Sequence, residues 1–140
     1  MALVLGHGGG SFGHVAAAAH GTRQGVAGAA QWLGFAEVHA AMVRLGRLLI
    51  EALLAEGVPA LALPPVALAT CENGRITAFN AAPVQMALAA GLVPVVCGDV
   101  AFDDGQGGTI ISTEMVLAAL VEALRPSWLL LAGEVDGVFD

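Results

Sequence analysis

An apolar run, Ala2-Leu3-Val4-Leu5, leads directly into Gly6-His7-Gly8-Gly9-Gly10-Ser11-Phe12-Gly13-His14, and an alanine-rich run, Val15 to Ala19, follows. That order reads as strand, glycine turn, helix, and it limits the chain to folds that place a helix N-terminus at the end of a buried strand. Three consecutive glycines let backbone approach a ligand, because no Cβ stands in the way. The N–H groups of such a turn, with the first turn of the helix, form a site for an anion. Two histidines flank the turn, so a phosphate there would meet backbone donors and an imidazole together. The spacing is neither Gly-x-Gly-x-x-Gly nor the Gly-x-x-x-x-Gly-Lys-Ser/Thr phosphate loop. A plain strand-to-helix turn with two surface histidines has the same spacing, and both readings stand at this point.

The rest of the chain repeats the alternation of strand and helix. Gly10 to Ala19 is expected to begin a helix, and His20 to Gly28 a mobile loop or a plain surface connection. Phe35 to Glu56 is the clearest helix, with Val38, Met42, Leu45, Leu49 and Leu53 recurring at three- to four-residue steps. Glu37 falls in its expected first turn, and Gly57 and Pro59 end it. His39 lies early on it and reads more simply as an ordinary helix residue than as a site residue. Ala60 to Leu63 is a short strand stopped by Pro64-Pro65. Asn73-Gly74 between two short runs predicts a hairpin, and Asn80 and Pro83 open a helix that Gly91 closes. Leu92 to Cys97 is a buried strand that ends at Gly98-Asp99, a polar pair where α/β folds hold ligands. Asp103 to Gly108 reads as a solvated hairpin tip. Ser112 or Thr113 caps a further helix, with Glu114 in its first turn. Trp128 to Ala132 is expected to be another buried strand, with Glu134 and Asp136 at its mouth. The pattern predicts one α/β domain over residues 1–140 with a mainly parallel sheet.

Charge and composition exclude several functions. The chain has 140 residues and a net charge of −7, and its five basic residues are all arginine. This argues against a nucleic-acid surface. It is also unusual for phosphoryl transfer, where lysine commonly spreads negative charge. No apolar stretch reaches the roughly 18 residues of a membrane span, and Met1 to Leu5 lacks the form of a signal peptide. The expectation is a cytoplasmic protein without nucleic-acid or membrane partners. Cys71 and Cys97 have no metal-type spacing and read as structural thiols.

Several of these segments, in order, resemble the isopentenyl phosphate kinases of the amino-acid kinase superfamily. The string His7 to His14 carries the resemblance. It is joined by Gly34 to His39, Pro64-Pro65, Glu72 to Arg75, Gly91 to Val95, Gly98-Asp99-Val100, Thr109 to Ser112 and Val135 to Val138. The resemblance implies a three-layer αβα sandwich, a homodimer, and transfer of phosphate from ATP with Mg²⁺ to isopentenyl phosphate, on an alternative mevalonate route to isoprenoids. It implies that Gly8, Gly9, His14 and Thr113 bind the acceptor, with His14 also catalytic. It implies that Gly10 and Glu134 lie on the nucleotide side, and it assigns no protein metal ligand.

The family pattern also includes an early Lys-x-Gly-Gly-Ser strand and further lysines, and this sequence contains no lysine. Thr113-Glu114 stands where Gly-Asp is common, and Glu134 where Asp is. The expectation is therefore an incomplete form of the domain, mostly its substrate side. Two other readings stay open: a small-molecule kinase with another acceptor, fosfomycin-type or a carboxylate, and a non-catalytic phosphate-binding or dimerisation fragment.

Overall fold

The computed structural model describes residues 2–10, 12 and 25–133. The elements in chain order are β1 (Leu5–His7), α1 (Ala29–Ala55), β2 (Ala60–Ala62), a 3₁₀ turn (Pro65–Ala67), β3 (Ala69–Glu72), β4 (Arg75–Phe79), α2 (Ala82–Ala89), β5 (Val93–Cys97), β6 (Asp99–Asp103), β7 (Gly107–Ile111) and α3 (Thr113–Leu124). They form two sheets. The first is fully parallel, in the order β1-β5-β2, with Leu5 opposite Val95 and Ala62 on its other side. The second runs β4-β3-β6-β7 and is mixed: two antiparallel hairpins joined by a parallel β3–β6 pairing. The expected parallel sheet is present, and the hairpin pair beside it is the part that alternation alone did not separate.

Local chemistry sets most boundaries. Asn73 and Gly74 both take positive φ, 50° and 78°, as a two-residue hairpin turn requires. The Asn80 side chain accepts from the Ala82 N–H at 3.1 Å and opens α2, and Gly91, at φ 77°, ends it. Ser112 caps α3, its hydroxyl accepting from the Met115 N–H at 3.3 Å. Its own backbone N–H and the Ser112 hydroxyl hold the Glu114 carboxyl below its ordinary range.

Three expectations are corrected. Helix α1 begins six residues earlier than Phe35, so Glu37 is interior and the first turn has no acidic residue. The buried face of α1 is Gly34, Phe35, Val38, Ala41, Met42 and Gly46, while Leu45, Leu49 and Leu53 are only half-buried. Trp128 to Leu131 form neither helix nor strand and are exposed, Trp128 by 82% and Leu130 by 85%. They pair with no described strand. In the loop expected from His20 to Gly28, residues 20–24 lie outside the described ones. Val26, by contrast, is fixed: it is buried, and its N–H donates to the Gln106 carbonyl at 2.9 Å.

The main core joins Ala69, Cys71, Val84, Val96, Ala101, Ile111, Val116 and Leu120 between the sheets and helices. A smaller cluster of Val26, Phe35, Val38 and Val100 lies where α1 packs on β6. Both cysteines are buried and free. Burial first, then the charge of Asp99, pushes the Cys97 thiol up to about 12. Burial and then Asp103 raise the Cys71 thiol. Both therefore stay protonated and inert at neutral pH.

Candidate acceptor site at the strand ends

Strands β1 and β5 run parallel and in register, so their carboxyl ends, His7 and Cys97, finish side by side. This is the edge where an open parallel sheet presents ligands. The glycine turn leaves β1 here. A Cβ built on Gly8 or Gly10 would meet no atom within 4 Å, and Gly10 has φ 48°. The Phe12 N–H donates to the Gly9 carbonyl at 3.1 Å and starts to curl the chain after the glycines. The turn therefore has open space against its backbone, which a bound anion requires.

Thr113 ties the two strand ends together. Its hydroxyl donates to the His7 carbonyl at 2.8 Å and accepts from the Gly98 N–H at 2.7 Å. Thr113 is the first residue of α3, so one side chain joins β1, the β5–β6 junction and a helix N-terminus. Two glycines permit the approach. A Cβ on Gly6 would stand 3.0 Å from Thr113 Cγ2, and one on Gly98 would stand 3.0 Å from both the Ile111 carbonyl and the Thr113 nitrogen. Ser112 was one of two candidate caps in the sequence; the bridging role of the neighbouring Thr113 hydroxyl was not read there, because it depends on residues 106 positions apart.

Asp99 follows Gly98 and opens β6. It is buried, at 1% exposure. Its Oδ1 accepts from its neighbour's N–H, Val100, at 2.8 Å, and its Oδ2 lies 2.7 Å from His39 Nδ1. Burial raises the Asp99 carboxyl above its ordinary range, and the His39 and Val100 hydrogen bonds and the His39 charge oppose that rise without cancelling it. The ordinary-residue reading of His39 is thus replaced by a specific partnership across the α1–β6 contact. A glycine on the same helix face, Gly46, approaches His7: a Cβ there would sit 3.6 Å from His7 Nε2. The His7 ring meanwhile holds Nδ1 3.1 Å from the Gly8 carbonyl.

The structure brings Gly8, Gly9, Gly10 and Thr113 to one edge of the parallel sheet and adds His7, His39 and Asp99 to them. His14 and Glu134, with Asp136, lie outside the described residues. Asp103 is not a solvated tip. It is buried and accepts from four backbone N–H groups: Asn73 at 3.0 Å, Gly74 at 2.7 Å, Gly105 at 2.9 Å and Gln106 at 3.0 Å. Burial alone would raise its carboxyl; the four donors outweigh burial and hold it below its ordinary range. Among the described residues no group of three or more His, Cys, Asp or Glu could hold a metal ion, and no helix is long and apolar enough to cross a membrane. A shallow groove between β4 and α3, lined by Ile76, Phe79, Met115 and Glu122, shares no residue with the glycine turn.

Known proteins share this chain's sequence pattern and fold. The model of the amino acid kinase family matches residues 1–140. The isopentenyl phosphate kinase of Arabidopsis thaliana is 30% identical over 140 residues, covering 99% of this chain and 42% of that protein. The isopentenyl phosphate kinase of Methanocaldococcus jannaschii is 32% identical, covering 97% of this chain and 52% of that protein. A solved structure of isopentenyl phosphate kinase superposes with a TM-score of 0.92 at 31% identity, over 98% of this chain and 57% of that one. An isopentenyl phosphate kinase substrate complex superposes with a TM-score of 0.79 at 31% identity, over 89% of this chain and 51% of the other. The chain thus spans about half the length of the relatives it matches.

Proposed function

The chain belongs to the amino acid kinase family, and from that premise we propose that it supplies the acceptor side of an ATP-dependent kinase that phosphorylates isopentenyl phosphate to isopentenyl diphosphate. The observation that carries this reading is the open glycine turn at the ends of β1 and β5, held in place by the Thr113 hydroxyl. Relatives over nearly the whole chain are isopentenyl phosphate kinases, which supports the choice of acceptor.

In this reading the acceptor phosphate rests on the backbone of Gly8 and Gly9. His14 hydrogen-bonds it and offsets part of its charge. Gly10 faces the ATP phosphates, and Glu134 stands on the nucleotide side. An oxygen of the acceptor phosphate attacks the γ-phosphorus in line, and the bond from that phosphorus to ADP breaks. Such transfer asks little covalent chemistry of the protein, so the residues act by positioning and by neutralising charge. Thr113 fits a positioning role, because it sets the spacing between the strand that leads into the turn and the start of α3. Magnesium commonly accompanies nucleotide phosphates with one or two carboxylates. The described residues offer no cluster for it. The absence of lysine favours a second reading, a phosphate-binding unit without transfer activity of its own.

The working form in this proposal is a cytoplasmic homodimer, in which residues 1–140 are a fragment of one amino-acid kinase domain, mostly its substrate-binding side. Support comes from α1, where Leu33, Ala36, Ala40, Val43, Arg47, Ile50 and Leu54 alternate at three- and four-residue steps along one side. All but the half-buried Ile50 are exposed. That spacing is the seam of paired helices, and a second copy of the same helix would cover it.

Calorimetric titration of isopentenyl phosphate, beside inorganic phosphate, into the chain and into His14→Ala tests the reading. The expected result is preferential binding of the organic phosphate that weakens at least tenfold in the variant. Equal, weak binding of both phosphates by a folded chain, indifferent to His14, would reject it. Turnover of ATP by the chain would reject the second reading.

A further inference from the structure

We propose that His39, held by Asp99, is a positioning residue for the acceptor site: it pins α1 across the strand ends and so fixes the root of the glycine turn. The inference rests on the acceptor reading for its consequence in binding, and on geometry alone for the pin.

Helix α1 faces the β5–β6 junction and the end of β1 with two residues on one face. His39 meets the buried carboxylate of Asp99 at 2.7 Å. Gly46, seven residues and about two turns later, approaches the His7 ring. His7 is the last residue of β1, and its backbone carbonyl is held by Thr113. The glycine turn therefore starts from a residue clasped between α1 on one side and α3 on the other. The helix's ion pair, Arg47 with Glu51 at 2.7 Å, is exposed. The small apolar cluster of Phe35, Val38 and Val100 adds contact area beside the pair. Apolar contact permits sliding and rotation; a hydrogen bond to a buried carboxylate fixes direction.

The burial of the two partners differs in a way that suits this role. Asp99 is 1% exposed, and the His39 side chain is 34% exposed. Nδ1 is engaged by the carboxylate while the side chain as a whole stays partly exposed. The imidazole thus bridges the interior and the rim, with its orientation set from below by Asp99. A carboxylate buried this deeply is costly unless hydrogen-bonded, and removal of His39 takes away its side-chain partner and leaves the Val100 N–H bond. Gln at position 39 can still donate to Asp99 through its amide and would keep the pin; Ala cannot.

Two measurements test this on the chain and its variants His39→Ala and His39→Gln. In the first, ring signals of His7 are followed by NMR. The pin requires that they move in His39→Ala and stay near their original positions in His39→Gln. In the second, isopentenyl phosphate affinity is measured, together with the KM and kcat of turnover wherever turnover is observed. The expected result is a three- to tenfold loss of acceptor affinity in His39→Ala, with the KM for ATP and kcat within twofold, and recovery to within twofold of the parent in His39→Gln. Unmoved His7 signals in His39→Ala, or a Gln variant as impaired as Ala, would overturn the proposal. So would a fall in kcat at constant acceptor KM. If His39→Ala does not fold, His39→Gln decides alone, since a pin predicts that it retains both the His7 signals and the affinity. If the parent chain binds no isopentenyl phosphate, the acceptor reading fails, while the His7 signals still decide the pin.

Discussion

Asp103 illustrates how a single side chain organises a fold that its neighbourhood in sequence does not announce. Three of its four donors crowd one oxygen, Oδ1, and the fourth, Gly74, meets Oδ2. The donors come from two turns, β3–β4 and β6–β7, so one carboxylate closes both hairpins against each other. Replacement by Ala would leave four backbone N–H groups without their acceptor. Asp103→Ala is expected to cost on the order of 3 kcal/mol, read from urea unfolding. The pH dependence follows from the direction of the shift. The folded carboxyl is held below its unfolded value of about 3.9, so its contribution is fully present above that pH. It is lost as pH falls through the lower folded value. Asp99 is shifted the opposite way: its contribution is present below its unfolded pKa and is lost as pH rises through the folded one. Unfolding curves collected across the acid range should therefore show a steep acid limb that Asp103→Ala flattens. An unchanged limb would assign acid sensitivity elsewhere.

At the scale of elements, the β6–β7 hairpin depends on glycines for close approach as much as for turning. Gly107 has φ 79°, and a Cβ there would run into the Val26 carbonyl oxygen. A Cβ at Gly108 would stand 2.9 Å from both the Phe35 ring and Val26 Cγ2. The hairpin and the segment before α1 are thus in backbone contact, sealed by the Val26 N–H bond to Gln106. The neighbouring aromatic cluster reinforces that contact: Phe35 lies 5.3 Å from both Trp32 and Phe102, ring centre to ring centre. Gly107→Ala combines a disfavoured backbone conformation with a steric clash. A loss of about 2 kcal/mol or more is expected, with faster amide exchange at Val26 as the local sign that the two segments have parted. Undisturbed exchange there would mean that the hairpin shifts as a unit.

At the scale of the whole molecule, apolar surface remains to be covered. Leu33, Val43 and Leu54 on α1 are each about half exposed, and Trp128 to Leu131 lie open beyond α3. Exposed apolar groups in stripes mark contact surfaces. The chain is expected to self-associate, and sedimentation should show a dimer or larger species. A charge at the centre of the α1 stripe, Val43→Glu, should shift the distribution toward monomer while leaving the helix content unchanged. A parent chain that sediments as a clean monomer with a cooperative melt would remove this face from consideration.

Short-range chemistry was legible in the sequence. The Asn73-Gly74 hairpin, the Asn80 and Ser112 helix starts, the helix stops at Gly57 and Gly91, and the glycine turn all rest on residues a few positions apart. Propensity and capping act within that range. The string from His7 to His14, with the segments that follow it in order, was also sufficient to identify the family. The same reasoning misplaced Asp103 as solvated and gave Trp128 to Ala132 a strand, since burial and strand pairing depend on distant neighbours. It also took His39 for an ordinary helix residue, because its partner lies 60 positions away. The Thr113 bridge spans a still longer gap, 106 positions. The sequence by itself determined most of the alternation of elements from β1 to α3 among the described residues, and the glycine turn that follows β1. Only the tertiary structure decided which polar groups hold that turn, because a hydrogen bond requires a partner within about 3 Å, and the folded chain alone sets that distance.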